Sequence, residues 1–390
     1  MTDDARIYLD NAATSWPKPE AVYAAVDDYQ RNHGAPAGRS TYHEAALVER
    51  LVQRARKHVA ALIGCADPKR VIFTFNGTDA LNLAIHGLLA DGDHVVTTVV
   101  EHNSVLRPLR QLERAGRIEV TIVGCDSEGI VDLDDLREAV RSTTRLIAIS
   151  HASNVTGALQ PIEEAAKICK QCDARLLVDA AQTVGCVPID VARSEIDLLA
   201  APGHKGLLGP LGTGILYVGP GVESELASCR QGGTGTQSDI DQQPDALPHK
   251  YESGNLNVPG IVGLAEGVEF VQVRTVSSIR DHELSLTGDL ISGLTQLEGI
   301  EVFGPVDFAR RVGVVSVRVH DFDPQEVAAM LDATCRVAVR SGLHCAPLMH
   351  RAIGTDRQGG TVRMSVGPFN TVEQIATTVQ AFESVVANAL

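Results

Sequence analysis

A chain of 390 residues with 44% hydrophobic and 21% charged side chains is long enough for two cores and has the balance of an ordinary globular protein. Its formal charge of -15 argues against nucleic acid or an anionic membrane surface as the main partner. No apolar run approaches the roughly 20 residues of a membrane helix, residues 1–7 hold no apolar signal core, and the 8 scattered cysteines fit free thiols in a reducing compartment. The expected address is the cytoplasm.

Taken in chain order, short apolar runs at 71–75, 94–99, 119–123, 146–150, 176–178, 198–200 and 214–218 read as strands. Helix-like stretches such as 79–89 and 104–115 lie between them, and Ile162–Cys172 reads as another. Strands alternating with helices predict βαβ units and a mostly parallel seven-stranded sheet covered on both faces. Cys169 and Cys172 fall inside that third helix, and no second pair completes a metal site. After about residue 255 the texture changes. Stretches 258–273 and 277–297 read as helices, 312–319, 337–340 and 361–366 as strands, and 372–389 as a helix opened by a Thr371/Gln374 capping box. The expected division is a large α/β domain over 16–255 and a smaller α+β domain made of 1–15 and 256–390.

Ligands of an open α/β sheet bind beyond the carboxyl ends of its strands. Residues immediately past those ends are therefore the ones that matter. They are Asn76-Gly77-Thr78, Glu101-His102-Asn103, His151 to Asn154, Asp179 to Gln182, and Pro202-Gly203-His204-Lys205-Gly206. A helix-opening Asn-Gly-Thr suits a phosphate; a strand-terminal Asp on its own is more often a cap. Together the set meets the needs of pyridoxal 5'-phosphate (PLP): a lysine for a Schiff base, an acid for the pyridine nitrogen, a phosphate cradle and a flat group for the ring. The chain has only Lys18, Lys57, Lys69, Lys167, Lys170, Lys205 and Lys250 to offer. Lys205 alone follows a buried strand between glycines, which would let a cofactor approach the backbone.

The stretches at 8–19 (YLDNAATSWPKP), 73–85 (FTFNGTDALNLAI), 101–104 (EHNS), 153–157 (SNVTG), 177–185 (LVDAAQTVG) and 203–214 (GHKGLLGPLGTG) resemble the class V aminotransferase family of PLP fold type I. So do 232–236 (GGTGT), 252–260 (ESGNLNVPG) and 340–350 (RSGLHCAPLMH). Within that family the chain is most similar to the second group of cysteine desulfurases, whose relatives include selenocysteine lyases; the spacing around Cys345 carries this. The resemblance implies that Lys205 binds PLP and shuttles the α-proton, Asp179 pairs with the pyridine nitrogen, and His102 stacks on the ring. It further implies that Gln182 and Asn154 contact the ring's oxygen and surroundings, and that Gly77, Thr78 and His204 hold the phosphate. Asn255 would reach the phosphate of a second subunit in a homodimer. Arg363, with Asn11 and Arg340, would bind the substrate carboxylate.

Cys345 separates a desulfurase from its relatives, because a thiolate must attack the sulfur of L-cysteine to leave a persulfide and alanine. Arg340 and His344 are the expected sources of positive charge for it, against the alternative of a small buried hydrophobe. The other free cysteines read as ordinary. Departures from the family lie at Pro202, where Ser or Thr is usual, at Asn255, where Thr is usual, and across 32–42. The implied activity is transfer of cysteine sulfur to an acceptor protein, with iron–sulfur cluster assembly among the destinations. A selenocysteine lyase or other β-eliminating lyase, and a sulfur carrier without turnover, stand as alternatives.

Overall fold

The computed structural model describes residues 6–38, 42–236 and 239–387. Its strands begin with β1 (Ile7–Tyr8), β2 (Val71–Thr74), β3 (Asp93–Thr98), β4 (Ile118–Val123) and β5 (Thr144–Ser150). Then come β6 (Arg175–Asp179), β7 (Leu198–Pro202), β8 (Gly214–Val218) and β9 (Ile300–Phe303). The last are β10 (Val314–Val319), β11 (Val337–Ala338), β12 (Arg340–Gly342) and β13 (Thr361–Ser365). The large sheet has seven strands in the order β2-β8-β7-β6-β5-β3-β4. Strand β8 is antiparallel to both its neighbours and every other pairing is parallel, so all strands but β8 run one way. The mostly parallel α/β sheet expected from the βα alternation is present.

Side chains of a strand alternate between faces, and here both faces are apolar. Leu146 and Ala148 of β5 enter one core cluster while Ile147 and Ile149 enter the other; β6 and β7 divide likewise through Leu177 against Val178 and Leu198 against Leu199. Helices Gly77–Leu88 and Asn103–Arg114 cover the first face. His43–Leu62, Ile162–Cys172 and Val258–Arg274 cover the second. Burial on both faces is why the strands read as continuous apolar runs.

A smaller antiparallel sheet, β12-β13-β10-β9, packs against helices Val276–Leu294, Pro324–Cys335 and Val372–Ala387 through a third cluster. The last helix carries the expected capping box, with the Gln374 N–H donating to Thr371 Oγ1 at 3.3 Å and the Thr371 N–H to Gln374 Oε1 at 3.4 Å. The end of that expected helix past residue 387 lies outside the described residues, as do 39–41 of the 32–42 stretch. The strand expected at 337–340 divides, because β11 pairs with β1 whereas β12 pairs with β13. Chain residues 7–10 are thereby stitched to the C-terminal strands, β1 forming a two-stranded sheet with β11 and Asp10 bridging Ser365 of β13. Among the described residues no helix is long and apolar enough to cross a membrane.

Candidate active site

The co-directional strands of the large sheet end on one edge, and the residues past them line a cavity of about 220 Å³. Gly77 and Thr78 come from beyond β2, His102 from beyond β3, Asn154 from beyond β5, Asp179 and Gln182 from the end of β6, and His204 and Lys205 from beyond β7. The smaller sheet adds Arg340 of β12 and Arg363 of β13, and the loop after β12 adds His344 and Cys345. Two expected residues lie elsewhere. Asn11 lines an adjoining chamber, and Asn255 lines a separate recess with Phe75 and Arg230.

At one end of the cavity Asn76 caps helix Gly77–Leu88, its Oδ1 accepting from the Asp79 N–H at 2.9 Å. The helix's opening N–H groups, on Gly77 and Thr78, have no carbonyl within the helix to bond, and both residues line the cavity. A Cβ on Gly77 would stand 3.2 Å from Pro202 Cδ, so the helix start is seated directly on the end of β7. Thr78 Oγ1, Ser104 Oγ and His102 Nδ1 form a chain at 2.7 and 2.8 Å. His102 Nδ1 also accepts the Ser104 N–H at 3.0 Å, capping the next helix, so Nδ1 carries no proton. Burial, helped by the Lys205 and Arg340 charges, lowers His102 to about 4, leaving a neutral flat ring. His204 is likewise lowered to about 4 by burial, and its buried Nδ1 has no partner among the described residues.

Burial lowers the Lys205 amine to about 8, with the Asp179 carboxylate opposing. Its flanking glycines are also required by the protein's own packing. A Cβ on Gly203 would lie 2.1 Å from Thr213 Oγ1, and one on Gly206 would lie 2.3 Å from the Val184 carbonyl. Burial pushes the Asp179 carboxyl up; the Ala181 N–H at 3.0 Å and the Lys205 ammonium oppose the rise. Behind it sits Glu101, a buried carboxylate that accepts from Thr98 Oγ1, the Ser150 N–H and Ser150 Oγ at 2.7, 3.0 and 2.8 Å.

The β12–β13 register sets Arg340 opposite Arg363, two cations side by side. Like charges in that position repel. Asp10 relieves the repulsion, its Oδ1 accepting from Arg363 Nη2 at 2.9 Å, while Arg363 Nη1 donates to the Asn154 carbonyl at 3.1 Å. Arg363 is only 1% exposed. Asp10 belongs to a motif visible in the sequence, but its partner is 353 residues away, and no local signal joins them.

Cys345 is half-buried, and Arg340 Nη2 donates to its sulfur at 3.7 Å. His344 and Cys345 have φ values of 48° and 60°, a region that non-glycine residues rarely occupy. Two bonds hold them there: Asn154 Nδ2 donates to the His344 carbonyl at 2.6 Å, and the Asn103 N–H donates to the Cys345 carbonyl at 2.8 Å. The Asn154 amide is thus committed to the cysteine loop. His344 is buried against His350, with ring centroids 5.3 Å apart, and burial holds its pKa well below the ordinary value. It therefore brings no positive charge to Cys345, contrary to expectation; Arg340 does.

The family model for aminotransferase class-V proteins matches residues 7–377. A probable cysteine desulfurase of Methanothermobacter thermautotrophicus is 36% identical over 383 residues, covering 97% of this chain and 94% of its own. A cysteine desulfurase of Haloferax volcanii is 30% identical over 385 residues, covering 97% and 89%. Among solved structures, the apo cysteine desulfurase of Thermococcus onnurineus superposes with a TM-score of 0.92 at 33% identity, over 98% of this chain and 95% of that one. With this match spanning both sheets and every element that lines the cavity, the chain belongs to the class V aminotransferase family.

Proposed function

We propose that the protein is a PLP-dependent cysteine desulfurase that converts L-cysteine to L-alanine and retains the sulfur as a persulfide on Cys345. The observation that carries this reading is the convergence of Lys205, Asp179, His102, Arg363 and Cys345 on one cavity. The relatives named above are called cysteine desulfurases, which supports the same activity.

The residues present fit PLP. A buried His204 Nδ1 has no partner among the described residues, a helix start is seated against β7, and the buried Asp179 carboxyl acts on the buried Lys205 amine. Gly77, Thr78 and His204 would hold the phosphate, Asp179 the pyridine nitrogen, and His102 the ring face, with Gln182 and Asn154 alongside. When bound, PLP supplies an electron sink for the bonds at the substrate's amino carbon.

The chain's own residues do the rest. With its amine lowered to about 8, Lys205 keeps an uncharged fraction at neutral pH, so it would hold the cofactor and would take up the proton removed from the substrate's α-carbon. Arg363, oriented by Asp10, and Arg340 present the positive charge that a substrate carboxylate requires. Arg340 Nη2 also donates to the sulfur of Cys345, placing a positive charge beside the attacking group. The Cys345 thiolate attacks the substrate sulfur: a sulfur–sulfur bond forms, the carbon–sulfur bond breaks with its electron pair left on carbon, and a proton completes alanine.

The same reading makes residues 16–255 the cofactor domain and 1–15 with 256–390 the smaller one. It also makes the protein a homodimer in which Asn255 serves the second subunit's cofactor, and an acceptor protein the destination of the sulfur. The test is alanine release from L-cysteine, with reductant present, by wild type and Cys345→Ala. Release by wild type and its loss in a variant that still binds PLP is expected. Equal release by both assigns the reaction to another lyase of the family, and faster turnover of selenocysteine would name which one.

A further inference from the structure

The stretch 10–18 runs between the two halves of the site. Asp10 meets Arg363 at one end, and the Ala12 carbonyl accepts from Gln182 Nε2 at 3.2 Å. At the other end Thr14, Ser15 and Lys18 turn to the backbone around Lys205. The His204 carbonyl accepts the Ser15 N–H at 3.0 Å and Lys18 Nζ at 2.8 Å, with Thr14 Oγ1 at 3.2 Å. Lys18 Nζ also donates to Ser15 Oγ at 2.6 Å. Ser15 Oγ in turn stands 3.0 Å from the Lys205 carbonyl and 3.1 Å from that of His204.

A serine hydroxyl has one proton to give. The Lys18 ammonium donates to its oxygen, and the His204 carbonyl is already served by the Ser15 N–H and by Lys18. The hydroxyl proton is therefore left for the Lys205 carbonyl, whose other donor is the Leu208 N–H at 2.8 Å. The two peptide groups that meet at the Lys205 Cα are thus both held from Ser15 and Lys18. Peptide groups are planar, so fixing both sets the backbone angles of Lys205 and the direction in which its side chain leaves the chain. Lys18 is half-buried, and no carboxylate pairs with it among the described residues. Burial lowers it to about 8, so it remains mostly an ammonium at neutral pH. A half-buried cation with only neutral oxygens for partners is costly to keep, and both of its bonds lead to the backbone of the reacting lysine.

We propose that Lys18 is a positioning residue for Lys205: it holds one flanking carbonyl directly and turns the Ser15 hydroxyl onto the other, so the amine is aimed before a cofactor arrives. This rests on the reading of Lys205 as the amine that bonds the cofactor. Lys18 does not line the cavity, and it reaches the chemistry only through this backbone.

The test compares PLP with pyridoxamine 5'-phosphate, which offers the same ring and phosphate but no aldehyde, by equilibrium titration of the full chain freed of cofactor. Lys18→Met is expected to bind PLP about tenfold more weakly, the loss of one charge-assisted hydrogen bond, with pyridoxamine phosphate affinity unchanged. Lys18→Arg should restore PLP binding, and Ser15→Ala should match Lys18→Met without adding to it in the double variant. Unchanged PLP affinity in Lys18→Met overturns the proposal, as does an equal loss for both ligands, which places the effect at the phosphate seat or in the fold. If Lys18→Met does not fold, Ser15→Ala carries the same comparison. Failure of the cofactor reading shows separately, as a wild type in which borohydride fixes no PLP on Lys205. Hydrogen exchange in the cofactor-free chain then decides: the peptide spanning 203–209 should exchange about tenfold faster in Lys18→Met, with the large sheet unchanged, and equal rates overturn the clamp.

Discussion

Asp10 does its work by standing beside two arginines. With Arg363 buried and Arg340 directly across the strand pair, two positive charges stand together and Asp10 is the ion-pair partner of the buried one. Removing one partner of a buried ion pair leaves the other uncompensated, at a cost of about 3 kcal/mol or more. Asp10→Ala is therefore expected to lower the unfolding free energy in urea by about 3 kcal/mol, and adding Arg363→Met should recover part of that loss. A double variant no better than the single one contradicts the pairing. At this scale the residues after strand ends were legible, because position alone nominates Lys205, Asp179 and His102. Asp10 was not assigned a role, and His344 was given a charge it lacks, because both depend on burial and on partners distant in sequence.

Elements carry the site through their ends. Asn76 and His102 each cap the helix that follows their strand, so the same residues that close the backbone face the cavity. Loss of such a cap costs about 1 kcal/mol. Asn76→Ala should lower the urea unfolding free energy by about that amount and weaken PLP binding measured by equilibrium titration; unchanged PLP affinity contradicts a phosphate site at this helix start. The buried strands were legible as apolar runs, each ending within a residue or two of its observed limit. Helix Pro324–Cys335 was missed although Asp323, Pro324 and Glu326 spell its capping box, because the apolar Ala329, Met330 and Ala333 on its exposed side blur the amphipathic pattern. Division of 337–340 into β11 and β12 was invisible, since it is decided by which partner strand each half meets.

For the whole molecule, the arrangement of strands was beyond local reading. A reversed β8 between β2 and β7 follows from connections, not from composition. Protonation is another property of the whole. Burial lowers His102, His151, His204 and His350 from 6.5 to about 4, while Glu101 and Glu283 rise from 4.5 to about 7 and about 8. Between pH 6.5 and 4 the unfolded chain takes up imidazole protons that the folded one refuses, and this penalises folding. The Glu101 and Glu283 carboxyls, with that of Asp179, which burial also raises, act the other way, since the folded chain holds protons there that the unfolded one has released. The imidazoles outnumber them, so stability falls as pH falls through this window. The PLP-free chain should accordingly show a lower urea midpoint at pH 5 than at pH 7; an equal or higher midpoint at pH 5 contradicts the balance.

The stitching of residues 7–10 to the far end of the chain has a consequence for synthesis. Strand β1 cannot pair until Val337 has left the ribosome, and Asp10 cannot meet Arg363 until later still. The large sheet closes with β8 much earlier, so a nascent chain can present Lys205 and the residues proposed to hold the cofactor before Arg340, Cys345 or Arg363 has been made. Translation thus imposes an order in which cofactor capture can come first and competence for sulfur chemistry comes last.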